Sequence, residues 1–562
     1  MMKRVADYII ETLFQAGAEH VFYVPGAGCL HLTDALARKK ELHAVNMNHE
    51  QAAGMAALAY AQLRGLGVCL VTTGCGGTNA ITALLHAWQD NIPCVFVSGQ
   101  AERNHTIRNS EIALRQFGRQ EADIISIVSS ISKYAVMIND PRAAPYEVMK
   151  ALYIANSGRK GPVWIDVPLD VQSSIIDVDS CNRYESKDEI LTASDKDVEQ
   201  VIGDLERSKK PIILAGNGIN LAGAKGAFRD FIRKVQIPVV HSRLGCDLLA
   251  TDDPLSIGMI GMLGASRAGN FALQNSDYVL SIGCRLSINT TGYDYAQFAN
   301  NAKLTVVDID AEEHKKRTVE INQFIHADAK DFIERISTKK IELHYVDWAK
   351  RCLHWKQTMP ILSDDDRSHE KIDMYDLAER ISNVLPDDAI VVSDAGDGYY
   401  IGTSGFHYKE TQRAITSAGQ AEMGFALPGA IGLAFATQNP ILAFIGDGSF
   451  MMNLQELATV AQYNLPLKIV ITNNNGYASV RGHHIGTFRR YVGCDPEHGL
   501  GLVNFEKLAK AFGIPYARIG KVEDIEPVIE NAMDDNTPYL CEAICTERQK
   551  ILDVVTERLK KS

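Results

Sequence analysis

Gly446-Asp447-Gly448-Ser449 follows an apolar run of strand length, Ile441 to Ile445. A second apolar run, Leu467 to Ile471, ends in Asn473-Asn474-Asn475-Gly476. A carboxylate and a carboxamide at the ends of successive strands are hard oxygen donors, the kind Mg²⁺ takes together with phosphate oxygens. Asp447 and Asn474 supply two such ligands, and the carbonyl of Gly476 a third. Gly446 and Gly448 let the backbone approach closely, and a helix N-terminus suits a phosphate. Between the runs a helix is expected from about Asn453, with Glu456 three residues on as in a capping box. The plain alternative is a tight turn and a polar loop. It would win for Gly-Asp-Gly alone, but the whole set favours a phosphate–metal site.

The elements that must position these groups alternate along the chain. Helix is expected over Ala6–Gln15 and from Glu50 to Arg64. Strands are expected at His20–Val24, Ala44–Met47, Val68–Thr72, Pro93–Ser98 and Val163–Val167. Such βαβ alternation predicts α/β structure with doubly wound parallel sheets, which hold ligands at the carboxyl ends of their strands. Residues 173 to about 195 read as a linker. A second α/β unit starts at Pro211, and residues 340–370 read as another connection with a charged run at Asp364–Asp366.

The bulk numbers agree with a large chain of three or four domains with sizeable buried cores. The chain has 562 residues, 46% hydrophobic and 22% charged, with net charge −12. That balance argues against nucleic acid as a partner. Eleven cysteines without a CxxC pair predict reduced thiols and a cytoplasmic location. No apolar run reaches membrane-spanning length, and the apolar run of the first, amphipathic helix is broken by Asp7 and Glu11, so no signal peptide is expected.

The stretch from Gly446 to Asn474 resembles the diphosphate motif of thiamine diphosphate (ThDP) enzymes, and GDGSFMMNLQELATVAQYNLPLKI is similar to the acetolactate synthase branch. The likeness covers nearly the whole chain. It implies three domains: pyrimidine-binding (1–172), central Rossmann-like (190–340) and diphosphate-binding (371–550). It implies ThDP, with Mg²⁺ on Asp447, Asn474 and the Gly476 carbonyl, and Gly446, Gly448, Ser449 and Tyr477 beside the cofactor.

Other positions carry over by motif. Glu50, in His49-Glu50-Gln51-Ala52-Ala53-Gly54, matches the glutamate that hydrogen-bonds the pyrimidine and so assists loss of the thiazolium C2 proton. That role calls for an apolar pocket raising its pKa. By itself Glu50 would be a first-turn carboxylate, stabilised by about 0.3–1 kcal/mol. Thr73 and Asn79 lie in the loop that matches TSGPGATN. Gln120 matches an active-site glutamine. Met423 matches the wedge that bends the cofactor, although a methionine alone is usually core. Gly396 and Gly398 match the loop over the diphosphate. Gly216 and Gly218 make a loose glycine-rich turn after a strand, and Arg285 and Asp308 match positions that hold FAD; the plain alternative is a scaffold holding nothing.

Departures cluster at the substrate end. Asp397 stands where acetolactate synthases have glutamine, Leu263 where a flavin contact has histidine, and Arg119 where phenylalanine stands. Asn289 replaces an arginine that steers 2-keto acid carboxylates, His483 a tryptophan and Ser479 a methionine. Kept cofactor residues with altered pocket residues predict a changed substrate. The expected reaction is decarboxylation of a 2-keto acid, pyruvate first, with transfer of activated acetaldehyde to a carbonyl acceptor such as a keto sugar. Acetolactate synthase itself, a pyruvate oxidase-like flavoenzyme and a non-enzymatic scaffold are the alternatives. The family plan further implies a homodimer or homotetramer.

Overall fold

A computed structural model describes residues 1–186, 190–341, 345–362, 367, 371–534 and 536–552. Three six-stranded parallel sheets dominate it. The first runs, in spatial order, His43–Asn46, His20–Tyr23, Gly67–Val71, Cys94–Gln100, Val163–Pro168, Tyr134–Met137. The central sheet runs Ser256–Met259, Val239–His241, Pro211–Ala215, Tyr278–Ile282, Lys303–Asp308, Gln323–His326. The third runs Arg413–Ile415, Ile390–Ser393, Ile441–Gly446, Leu467–Asn473, Tyr539–Ile544, Tyr516–Ile519. Strands such as Val68–Val71 and Leu442–Ile445 are buried on both faces, as the continuous apolar runs require.

The stretch read as a linker after residue 173 is partly structured. Ile175–Asp177 pairs antiparallel with Met2–Arg4 in a small separate sheet, because Ile176 finds a buried apolar site. The charged run Asp364–Asp366 lies outside the described residues. Among the described residues no helix is long and apolar enough to cross a membrane.

The first and third units share one apolar core. The helix Glu50–Arg64 packs lengthwise on the helix Ala426–Ala436. Both are rich in alanine and glycine, so their backbones meet closely. A Cβ on Gly432 would lie 2.1 Å from the Ala56 carbonyl oxygen, so only glycine fits there. That contact brings the N-terminal turn of Glu50–Arg64 against the third unit. Asn48 N–H donates to Glu456 Oε1 at 3.1 Å, and Asn48 Nδ2 to Thr459 Oγ1 at 2.9 Å.

Candidate active site

Three adjacent strands of the third sheet, Ile390–Ser393, Ile441–Gly446 and Leu467–Asn473, end side by side. Asp394–Asp397, Asp447–Ser449 and Asn474–Gly476 follow them. Asp447 is fully buried and accepts the N–H of Gly448 at 2.6 Å and of Gly476 at 2.9 Å. Burial pushes its pKa up to about 6 against the pull of those backbone bonds. Asn474 Oδ1 is buried and meets no donor among the described residues. Neither do the two carboxyl oxygens of buried Asp397, whose pKa burial pushes up to about 7, with Arg481 opposing and Asp447 and Asp373 reinforcing. Buried polar atoms left unpaired cost about 1–3 kcal/mol each. A cation at Asp447 and Asn474 relieves that cost, so these residues fit Mg²⁺ with a diphosphate.

Two glycines of this site have steric reasons. Gly476 sits at φ 124°, and a Cβ there would meet the Cys494 carbonyl oxygen at 2.3 Å. A Cβ on Gly448 would strike the Tyr477 ring at 2.4 Å, so Tyr477 walls this turn. Among the described residues the Gly476 carbonyl accepts one bond, from Ala478 N–H at 3.2 Å, leaving a lone pair for a ligand. Gly396 turns at φ 65° with open space beside it, and Gly398 is buried in the turn after it.

Ser449 is engaged within the protein. Its hydroxyl donates to Asp394 Oδ1 at 2.7 Å and accepts Gly424 N–H at 3.0 Å. Asp394 also accepts the N–H of Gly424 and Ala426. These bonds anchor the backbone beside Met423, whose side chain is 39% exposed. The sequence reading missed Asp394, although it repeats the strand–acid–glycine pattern of Asp447 on the neighbouring strand. Arg481, expected from the sequence among the polar residues near the acceptor, is buried and donates to the carbonyls of Asn475 at 2.7 Å and Asn474 at 2.5 Å. It braces the asparagine loop rather than facing an acceptor.

The expected capping box does not form. Asn453 makes no side-chain cap, and the segment runs as the short helices Asp447–Phe450, Leu454–Glu456 and Leu457–Gln462. The reason is the neighbouring unit. Glu456 is fully buried and takes the Asn48 N–H, while Asn453 Nδ2 donates to Gln51 Oε1 at 3.2 Å and Gly424 O at 2.8 Å. Both side chains thus fasten the turn that opens with Glu50 to the third unit, Asn453 tying it to the backbone next to Met423.

In the first unit, Glu50 Oε2 accepts from Asn79 Nδ2 at 2.9 Å, and Gly76 leaves room beside Oε1. Thr73 is buried under Gly28, with its hydroxyl unpaired among the described residues. Gln120 is exposed at φ 58°, and its carbonyl presses on Gly74.

A second cavity, of about 610 Å³, opens among all three units, within the usual small-molecule range of roughly 300–1,000 Å³. Gly218, Arg243, Arg285, Asp308, Tyr399 and Gly419 line it. Gly216 lies behind, where a Cβ would meet the Gly283 carbonyl oxygen at 2.0 Å. Chain packing thus explains the Gly216–Gly218 turn without any ligand. Asp308 faces His314 at 3.4 Å. Arg285 binds the Gln89 carbonyl, and Arg243 lies 4.4 Å from the Tyr399 ring with a buried Nε unpaired among the described residues. Two guanidiniums and a glycine turn fit the phosphates of a nucleotide.

Three family models match in succession: thiamine pyrophosphate enzyme N-terminal TPP binding domain (residues 3–125), central domain (198–336) and C-terminal TPP binding domain (394–543). The acetolactate synthase large subunit of Lactococcus lactis is 32% identical over 98% of this chain and 94% of its own length. The chain belongs to the thiamine pyrophosphate enzyme family. Within this ThDP family it is of the acetolactate synthase type. The isozyme 2 large subunit of Escherichia coli is 31% identical over 98% and 97% of the two chains, and the chloroplastic enzyme of Arabidopsis thaliana 30% over 98% and 83%. The orphaned oxygens at the third sheet therefore lie in the C-terminal TPP binding domain, and Glu50 in the N-terminal one.

Proposed function

We propose that this ThDP enzyme decarboxylates a 2-keto acid, pyruvate first, and transfers the remaining two-carbon unit to a carbonyl acceptor. The observation carrying this reading is the row of buried, unsatisfied oxygens of Asp397 and Asn474 beside Asp447 at neighbouring strand ends. Bound ThDP supplies the carbon nucleophile and electron sink for loss of carbon dioxide. Asp447, Asn474 and the Gly476 carbonyl hold Mg²⁺. Gly396, Gly398, Gly446 and Gly448 let the backbone approach the diphosphate, and Tyr477 closes that side. Met423 props the cofactor. Glu50, oriented by Asn79, holds a hydrogen bond to the pyrimidine. Thr73 borders the cofactor and Gln120 the substrate.

Two finer points belong to the same proposal. The acceptor is either a second small keto acid, a reading that the relatives' name acetolactate synthase supports, or a more polar keto compound such as a keto sugar. His483 and Ser479 favour the polar acceptor. FAD fills the 610 Å³ cavity through Arg243, Arg285 and Gly218 as a structural group. An oxidase reading draws no support from the acetolactate synthases above. The working unit is at least a homodimer, since Ile485, Phe488 and Val492, beyond Gly476, stand exposed.

The test is mass spectrometry of products from pyruvate, with and without a panel of keto acceptors, using protein loaded with ThDP and Mg²⁺. Carbon dioxide release with a ligated product is expected. No release from any 2-keto acid overturns the reading.

A further inference from the structure

The helix Ile81–Asp90 of the first unit ends against residues 417–424 of the third. At that joint His86 is completely buried between two carboxylates. Its Nδ1 lies 2.6 Å from Glu422 Oε1 and its Nε2 3.2 Å from Asp90 Oδ2. Asp90 spends its oxygens on the loop as well, accepting the N–H of Ala418 and of Gly419 at 2.8 Å each. Glu422 takes the Ser417 hydroxyl, and Ser417 Oγ accepts Ala421 N–H at 3.1 Å. Ala421 is held at φ 52°, a left-handed conformation that a non-glycine residue adopts only when its surroundings impose it. The Phe425 ring stands edge-on to the imidazole at 4.8 Å.

A neutral imidazole has one N–H, which Nδ1 gives to Glu422; a second proton on Nε2 then faces Asp90 as an ion pair, at a distance but not an alignment that makes a hydrogen bond. Burial opposes the charged ring, but Glu422 and Asp90 outweigh it and raise the His86 pKa to about 10. Further charges at the joint are Asp394, felt through Glu422, and Arg285, bound to the carbonyl next to Asp90. Buried ion pairs often contribute little net stability, so this arrangement calls for another reason. The loop it grips has two functional faces. Ala418 and Gly419 line the 610 Å³ cavity, and Met423 emerges at the other end.

We propose that His86, doubly protonated, is a positioning residue. It clamps Asp90 and Glu422, fixes residues 417–422 across the joint between the first and third units, and thereby sets where Met423 stands. This rests on the reading of Met423 as the cofactor's prop.

The test uses the full chain, with hydrogen exchange of peptides covering 417–422 and calorimetric titration of ThDP in excess Mg²⁺. In His86→Leu, protection of the Ala418 and Gly419 amides is expected to fall, and the ThDP Kd to rise by about 10-fold or more, the scale for loss of an orienting partner. The double variant His86→Leu/Glu422→Leu removes the surplus charge, so its thermal stability recovers while loop protection and ThDP affinity do not. If the double variant regains all three, or if the single variant keeps wild-type loop protection, the clamp is overturned. Should His86→Leu fail to fold, the double variant decides alone. Met423→Ala with unchanged ThDP affinity overturns the Met423 reading, while lost loop protection in His86→Leu still upholds the clamp.

Discussion

Asn79 Nδ2 donates to Glu50 Oε2 at 2.9 Å, so a glycine-rich loop orients the carboxylate that opens the next-door helix. One carboxylate oxygen is thereby fixed, and the other, Oε1, lies beside Gly76. If Glu50 holds the pyrimidine, Glu50→Gln keeps ThDP binding but slows exchange of the cofactor's C2 proton by about 10²–10⁴-fold, the usual range for a positioned acid–base group. Asn79→Ala should slow it less, because the carboxylate remains. Proton-exchange NMR reads both; a wild-type rate in Glu50→Gln removes Glu50 from the mechanism.

Asp447 and Arg481 predict different failures. Asp447 is the buried acid itself, so Asp447→Ala should abolish ThDP and Mg²⁺ retention while circular dichroism shows the fold intact. Arg481 acts on the carbonyls of Asn474 and Asn475. Its replacement by methionine should raise the Mg²⁺ requirement by about 10–100-fold without abolishing binding. Unchanged calorimetric affinity in Asp447→Ala would put the metal elsewhere.

Asp166 gives a pH prediction away from the site. It is buried in the first sheet, and burial pushes its pKa up to about 7 despite bonds from Ser98 at 2.6 Å and Gln100 at 3.0 Å. A folded pKa above the unfolded one means the folded state binds the proton more tightly. Stability therefore falls as pH rises from about 4 to 7, by up to about 4 kcal/mol. Asp166→Asn should flatten that slope and leave the protein more stable than wild type at pH 7. Chemical denaturation at several pH values measures it, and an unaltered slope in the variant refutes it.

Gly432 is a purely steric prediction. Its would-be Cβ overlaps the Ala56 carbonyl, which belongs to rigid helix backbone. Gly432→Ala should destabilise by about 1–3 kcal/mol, as overpacking does. Because the joint also carries Glu50, ThDP affinity should drop along with the melting temperature. A variant as stable as wild type would show that the two helices can part freely.

The sequence made local things legible and left joints between units illegible. Apolar runs ending in glycine or acid located the strands, and Glu50–Arg64 came out to the residue. Asp447 and Asn474 stood out because a polar residue ending an apolar run has few structural reasons to be there. Asn453 and Glu456 were misread as a cap, since the spacing is right and only the fold reveals that Asn48 and Gln51 claim them first. His86 gave no signal, for its partners include Glu422, far along the chain. Ser449 looked like a ligand group because its neighbour is one, yet Asp394 takes it.

The acceptor prediction rests on the segment after Gly476. Ala478–Phe488 is a helix whose residues, Arg481 apart, are mostly exposed, and His483 turns Nδ1 to its own Ser479 carbonyl at 2.8 Å. Its other ring nitrogen is left for a partner. The sequence resemblance matches these two positions to a tryptophan and a methionine of an acetolactate synthase pocket for a small keto acid. Here the pair is polar, and Arg481 is too occupied to add its charge. A small keto acid offers such a wall few partners, whereas a hydroxylated keto compound offers several, each bond contributing about 0.5–1.5 kcal/mol. With pyruvate alone, acetolactate should therefore form slowly, and a larger polar keto acceptor should raise ligated product by about tenfold or more, the equivalent of one or two such bonds. His483→Trp should erase that preference and bring acetolactate formation up. Rapid acetolactate synthesis from pyruvate, at a rate no acceptor improves, would instead make the small keto acid the natural acceptor and assign His483 to the protein surface.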